Sequence, residues 1–204
     1  MKRKNPTSPI RQGLDYQDFW GLRLCGDWLI NPDKYQCIWF ETNPSDSPQG
    51  GFFLDDIVLL NNEGAYHLHQ IKHRQNPEID AWSWDDLLKQ EKGRNNQLKD
   101  SLLQKWFKSF CNPDLKDRIE YAAFITNGLA GSDIKNFLKS EKIDILTIQK
   151  QSPALYERIK AQLENEEKIG DFFSRFSFLF AQNDTSLFES QIRDFFYKRL
   201  RATE

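Results

Sequence analysis

The 204-residue sequence predicts an α/β domain, a mixed central sheet flanked by helices. Three observations predict it. Apolar segments of helical and strand period alternate in the order helix, strand, hairpin, helices, strand, helix, strand. Asn61-Asn62-Glu63-Gly64 joins two strand-like runs over a hairpin-length turn. Apolar residues make up 39% of the chain, with 16 Phe and 6 Trp, enough for a sizeable core at this length.

Residues 1–12 are polar and contain proline, which predicts a flexible arm. Leu14 to Ile30 carries Phe19, Trp20, Leu24, Trp28 and Leu29 at helical spacing and stops at Asn31-Pro32. Cys37 to Glu41 predicts a short buried strand, and residues 42–51 a loop rich in Pro, Ser and Gly. Asp55–Leu60 and Ala65–Lys72 predict the hairpin strands. Helices are predicted over Trp84–Gln90 and Asn95–Phe110, a strand over Ile119–Thr126, a short helix over Asp133–Leu138 and a strand over Ile143–Ile148. Ser152-Pro153 opens a helix toward Lys168, and Phe172–Phe180 alternates as a strand. Ser186-Leu187-Phe188-Glu189 has the spacing of a capping box for a last helix ending near Arg201.

The formal charge is −2, so any contact with a polyanion must come from a local patch. Cys25, Cys37 and Cys111 lie far apart, which predicts a reducing, cytoplasmic setting without a disulfide framework. Met1-Lys2-Arg3-Lys4 leads into Asn5-Pro6-Thr7-Ser8-Pro9, so no secretory signal is expected. No apolar run reaches the length of a membrane span.

The chemistry concentrates in the hairpin. Alternate residues of a strand share a face, so Gln70 and Lys72 point one way and His67, His69 and Ile71 the other. A three-residue loop, Asn62-Glu63-Gly64, with Gly64 left-handed, sets Asn61 opposite Ala65. Counting outward, Asp56 falls opposite Gln70, and a slip of one residue would bring Asp55 there instead. A carboxylate beside an amide oxygen suits a hard cation such as Mg²⁺, or Mn²⁺ in its place. A neighbouring lysine can orient a water that such a cation acidifies. Those are the requirements for hydrolysing a phosphodiester.

Asp56 with Gln70-Ile71-Lys72 resembles the D…(E/Q)xK signature of the PD-(D/E)XK nuclease superfamily. Gly13-Leu14-Asp15-Tyr16-Gln17 resembles the opening of its first helix, and Glu41, Gln70-Ile71-Lys72-His73 and Phe124-Ile125-Thr126-Asn127 follow in matching order. The combination is similar to the N-terminal nuclease effector domains of antiphage proteins, namely SAVED-domain CBASS effectors and STAND-type NTPase sensors. The resemblance spans Gly13 to Asn127 and implies a restriction-endonuclease-like fold over 13–204, with a core over 13–150 and a C-terminal extension over 151–204. It implies a metal-dependent endonuclease acting on double-stranded DNA. The sequence offers no dedicated recognition helix or zinc module, so low sequence specificity is expected, and cutting both strands needs two centres, so a homo-oligomer is expected. A regulatory or sensor domain is expected to follow in a longer polypeptide. Asp56, Gln70, Lys72, Glu41 and Gln17 are the expected catalytic residues, with Asp56, Gln70, Glu41 and Asp55 as metal ligands. His73, Arg74, Lys92 and Arg94 are expected DNA contacts. Two positions depart from the commoner pattern, since Gln70 and Gln17 stand where many relatives carry glutamate.

Each feature also has a plainer explanation. Asp55-Asp56 could be a solvated strand start, and Gln70 and Lys72 an exposed hairpin face. His67 and His69 could begin a zinc site, although no Cys or Glu follows at ligand spacing. Trp82 and Trp84 more often pack cores than stack on bases. Lys89, Lys92, Arg94, Lys99 and Lys105 form a run that either solvates a face or tracks a nucleic-acid backbone. The alternatives to a deoxyribonuclease are an RNase of the same fold and a non-catalytic assembly or nucleic-acid-binding module.

Overall fold

A computed structural model describes residues 9–40, 56–93, 95–113, 115 and 117–201. In chain order the elements are α1 (Pro9–Ile30), β1 (Tyr35–Phe40), β2 (Ile57–Asn61), β3 (Tyr66–Lys72), α2 (Trp84–Leu88), α3 (Leu102–Cys111), β4 (Ile119–Thr126), α4 (Ser132–Lys135), β5 (Leu138–Lys139), β6 (Lys142–Ile143), α5 (Ile145–Gln151), α6 (Pro153–Leu163), α7 (Glu166–Arg175), β7 (Phe176–Leu179) and α8 (Thr185–Arg201).

Five strands form one sheet in the order β1-β2-β3-β4-β7. β1, β2 and β3 are antiparallel neighbours, whereas β3–β4 and β4–β7 are parallel. This is the mixed α/β sheet of the restriction-endonuclease-like fold. Tyr16, Trp20 and Leu24, one helical turn apart on α1, pack with Phe188 of α8 against Ile57, Leu59, Ile71, Ala123 and Ile125 on one face. Trp106 of α3 and Phe172 and Phe173 of α7 cover the other, against Val58, Leu68, Phe124 and Phe176. Both faces are therefore covered, which is why β4 reads as a nearly unbroken apolar run.

The hairpin turn has the expected geometry. Asn61 N donates to Ala65 O at 2.9 Å, Gly64 N to Asn61 O at 3.1 Å, and Gly64 has φ +81°. The Asn61 side-chain oxygen also accepts from Glu63 N and Ala65 N, so the residue caps its own turn.

Several expected elements differ. The helix starts at Pro9, so residues 9–12 belong to α1 and not to a flexible arm; proline at the first helical position lacks only an N–H that has no partner there. The helix expected from Asn95 starts at Leu102. Ser101 and Gln104 form its capping box, and the chain before it folds back, pairing Lys92 with Leu98. The strand expected over Ile143–Ile148 is confined to β6, Lys142–Ile143, and α5 follows, because the Asp144 carboxylate accepts from Thr147 N and caps a helix there. The long helix after Ser152 breaks at Glu164, which is left-handed at φ +56°, and Ile169, Phe172 and Phe173 pack from the second helix. The segment expected as a C-terminal extension over 151–204 supplies β7 (Phe176–Leu179) at the sheet edge, so its described part, 151–201, belongs to the fold itself. The last helix starts at Thr185, ahead of the capping box expected at Ser186–Glu189; Asp184 caps it instead, accepting from Leu187 N at 2.8 Å, and that bond holds its carboxyl below the usual range.

One buried group predicts acid sensitivity. His69 is 6% exposed on the α1 face, and neither ring nitrogen has a hydrogen-bond partner among the described residues. Burial, then the charges of His67 and Lys34, push its pKa from 6.5 down to about 3. Between those values the unfolded chain binds the proton and the folded chain does not. Stability is therefore complete above pH 6.5 and falls as the pH drops through it. The loss between pH 7 and pH 5 is about 2 kcal/mol from this residue. Urea midpoints at the two pH values should differ less in His69→Leu than in the parent; an equal drop would show that His69 is not the source.

Candidate active site

The end of β2, the C-terminal half of β3 and the middle of α3 converge on one patch. The register Ile57↔His69 and Val58↔Leu68, carried one step further, sets Asp56 opposite Gln70. Even-numbered residues of both strands face α3, so Asp56, Gln70 and Lys72 share a face. Asp56 Oδ2 accepts from Ile71 N at 2.6 Å and from Gln70 Nε2, and Lys72 Nζ lies 3.7 Å away. All three contacts fall on Oδ2, and among the described residues Oδ1 has none. The Asp56 side chain is 12% exposed and that of Lys72 38%, so the pair is anchored in the fold yet open to solvent on the lysine side.

Asp56 lines a cavity of about 280 Å³ with Leu14, Gln17, Asp18, Phe40 and Ile57. The expected Gln17 is thus brought to the same opening. Asp18 is a carboxylate there that the sequence argument missed. The signal was available, since Leu14, Gln17 and Asp18 lie at i, i+3 and i+4 and share a helix face. Phe40 forms a wall because Gly21 lets its ring rest on α1, where a Cβ would overlap it.

Gln70 departs from expectation. Its oxygen was expected beside Asp56, but its amide nitrogen stands there. Oε1 instead accepts from Trp106 Nε1 at 3.4 Å, and the residue is 5% exposed. An indole N–H can only donate, so the amide oxygen must face it.

Lys72 opens onto a second cavity of about 290 Å³, lined also by Asp86, Lys89, Glu91, Lys99, Asp100, Leu102 and Lys105. Two of its carboxylates are paired with cations outside that lining, Asp86 with Arg74 at 3.2 Å and Asp100 with Lys108 at 2.6 Å. Lys72 is paired with Asp56, and Lys89, Lys99 and Lys105 then face Glu91 as the carboxylate of this lining with no ion-pair partner among the described residues, which leaves this wall positive.

The expected DNA contacts separate. Lys92 is exposed on the turn beside this wall. Arg74 is held within the fold, between Asp80 at 2.8 Å and Asp86, with its guanidinium 3.8 Å over Trp82. It is therefore a structural cation and not a free one. His73 points to the opposite face, 5.3 Å from the Tyr16 ring, and burial lowers its pKa. Its odd position, one residue past the end of β3, is the reason. Glu41, Asp55 and Arg94 lie outside the described residues.

Trp82 and Trp84 are buried core residues. His67 bonds Glu120 at 3.0 Å, while among the described residues neither His69 ring nitrogen has a hydrogen-bond partner and no three His, Cys, Asp or Glu are placed to hold a metal ion, here or elsewhere. A zinc site at the histidine pair is therefore not formed. The donor set at Asp56 still fits Mg²⁺, which keeps most of its waters and takes one or two carboxylates. The Asp56 oxygen with no hydrogen-bond or ion-pair partner among the described residues is the observation that supports that fit.

The family model described as Cap4, dsDNA endonuclease domain, matches residues 10–203. No curated protein gives a significant match.

Proposed function

From the premise that the chain belongs to the family of Cap4 dsDNA endonuclease domains, and so is a DNA endonuclease effector domain of antiphage defence, we propose that it hydrolyses phosphodiesters at Asp56 and Lys72 in a metal-dependent reaction. The observation that carries this assignment is the convergence of Asp56, Gln70 and Lys72 across the hairpin. When bound, Mg²⁺, or Mn²⁺ in its place, would supply an acidified water and neutralise charge at the phosphate. Asp56 would hold it through Oδ1, with Gln17, Asp18, Glu41 and Asp55 as further candidates. Lys72 would orient the attacking water and offset the charge that builds on the phosphate oxygens.

The wall of Lys72, Lys89, Lys99 and Lys105, extended by Lys92, suits a phosphate backbone. Backbone contacts carry no sequence information, which supports low sequence preference. Cutting both strands needs two centres facing opposite ways, so a symmetric pair of chains is part of the proposal. So are a regulatory or sensor domain C-terminal to this segment and a cytoplasmic setting, the latter supported by the three free cysteines. Among the described residues no helix is long and apolar enough to cross a membrane.

Supercoiled plasmid is the test substrate. With Mg²⁺ it should be nicked and linearised, EDTA should stop the reaction and excess Mg²⁺ should restore it. The rate should rise faster than linearly with protein concentration. Cutting that persists in EDTA would refute the metal role. An intact plasmid alongside cleaved RNA of the same sequence would make the protein an RNase.

A further inference from the structure

Trp106 belongs to the active-site face although nothing assigns it a part there. Its ring is fully buried, stacked on Phe176 at 5.2 Å and tilted against Phe124 at 4.9 Å. These contacts hold the indole still, and the partner of its N–H is Gln70 Oε1. If the amide turned to present its oxygen to a cation at Asp56, its NH₂ would meet the indole N–H. Two buried donors would then oppose each other, and neither would have an acceptor. The same turn would remove the Gln70 hydrogen bond to Asp56 Oδ2. A glutamate at position 70 would meet no such conflict, because one oxygen could accept from the indole while the other faced the cation.

We propose that Trp106 is a positioning residue that holds the Gln70 carboxamide with its NH₂ on Asp56, so that Gln70 orients the carboxylate and does not ligate the metal. Asp56 Oδ2 is then immobilised by Gln70, Ile71 N and Lys72, and Oδ1 is the oxygen left for the cation. The proposal rests on the assignment of Asp56 as the metal carboxylate, and it explains how glutamine can stand at this position without being a ligand.

The test is Mn²⁺ affinity by calorimetry in a double-mutant cycle. In the parent, Trp106→Phe frees the amide to turn, and Mn²⁺ should bind about fivefold to tenfold more tightly. In a Gln70→Glu background the same substitution should give no tightening, because the glutamate already offers an oxygen to each side. A second measurement on the unmutated protein does not depend on either variant folding. The Trp106 indole ¹H–¹⁵N resonance should keep its hydrogen-bonded, downfield position when Mg²⁺ is added. Unchanged or weaker Mn²⁺ binding in Trp106→Phe, or an upfield move of that resonance with Mg²⁺, would overturn the proposal while leaving Asp56 as the metal residue. Mn²⁺ binding that is indifferent to Asp56→Asn would overturn both.

Discussion

Asp56→Asn is expected to lower the plasmid-cleavage rate by about three orders of magnitude, with the fold intact. The substitution keeps the acceptor that Ile71 N and Gln70 Nε2 use, because the asparagine oxygen can take the place of Oδ2. What changes is the other atom. The oxygen that has no partner among the described residues becomes an NH₂ group, which cannot bind a cation, and the negative charge is lost. A metal contributes several kcal/mol to a phosphoryl reaction through water activation and charge neutralisation, and each 1.4 kcal/mol is about tenfold in rate. Asp55→Asn serves as the comparison and should have the smaller effect, since the alternation of the sequence assigns the face of Gln70 and Lys72 to position 56. Cleavage rates of the two purified variants at equal Mg²⁺ decide the matter. A fully active Asp56→Asn protein would place the centre elsewhere in the molecule.

Lys72→Ala should lower the rate by about two to four orders of magnitude, the range for a positioned group that acts on a proton in the transition state. Its ammonium is 3.7 Å from Asp56 Oδ2 and 38% exposed, so it borders both the carboxylate and the solvent from which water and phosphate arrive. Losing a partly exposed ion pair costs little, within about 1 kcal/mol, and the thermal midpoint should move by only a few degrees. Normal melting with cleavage lost is therefore the expected pair of results. Lys72→Arg refines the assignment. It retains the charge but replaces a compact ammonium with a planar fork. Its rate should stay well below the parent's if Lys72 positions a water, and should approach the parent's if only charge matters.

The hairpin was legible because its determinants are local. Glycine adopts the left-handed conformation at little cost, so Gly64 sets the loop length, and the period of two then carries the register to Asp56 and Gln70. Strand β4 was legible for its length and its β-branched and aromatic content. The stretch from Asp144 to Ile148 was not, because a short apolar run reads equally as strand or helix, and the side-chain cap on Thr147 N decided it. Arg74 looked like a free cation because Asp80 and Asp86 become its partners only when the chain after β3 folds back over Trp82.

The sequence by itself determined the α/β class, the hairpin register, and which of Asp56, Gln70 and Lys72 share a face, since turn chemistry and side-chain alternation act over a few residues. Tertiary structure alone decided what those side chains do to one another. Trp106 reaches Gln70 across 36 positions of sequence, and its donor-only indole turns the amide oxygen away from Asp56. Gln17 and Asp18 reach the Asp56 cavity only because α1 packs on the sheet. Those contacts depend on how distant elements dock, and docking is set by the shape of the whole core, which no local spacing encodes.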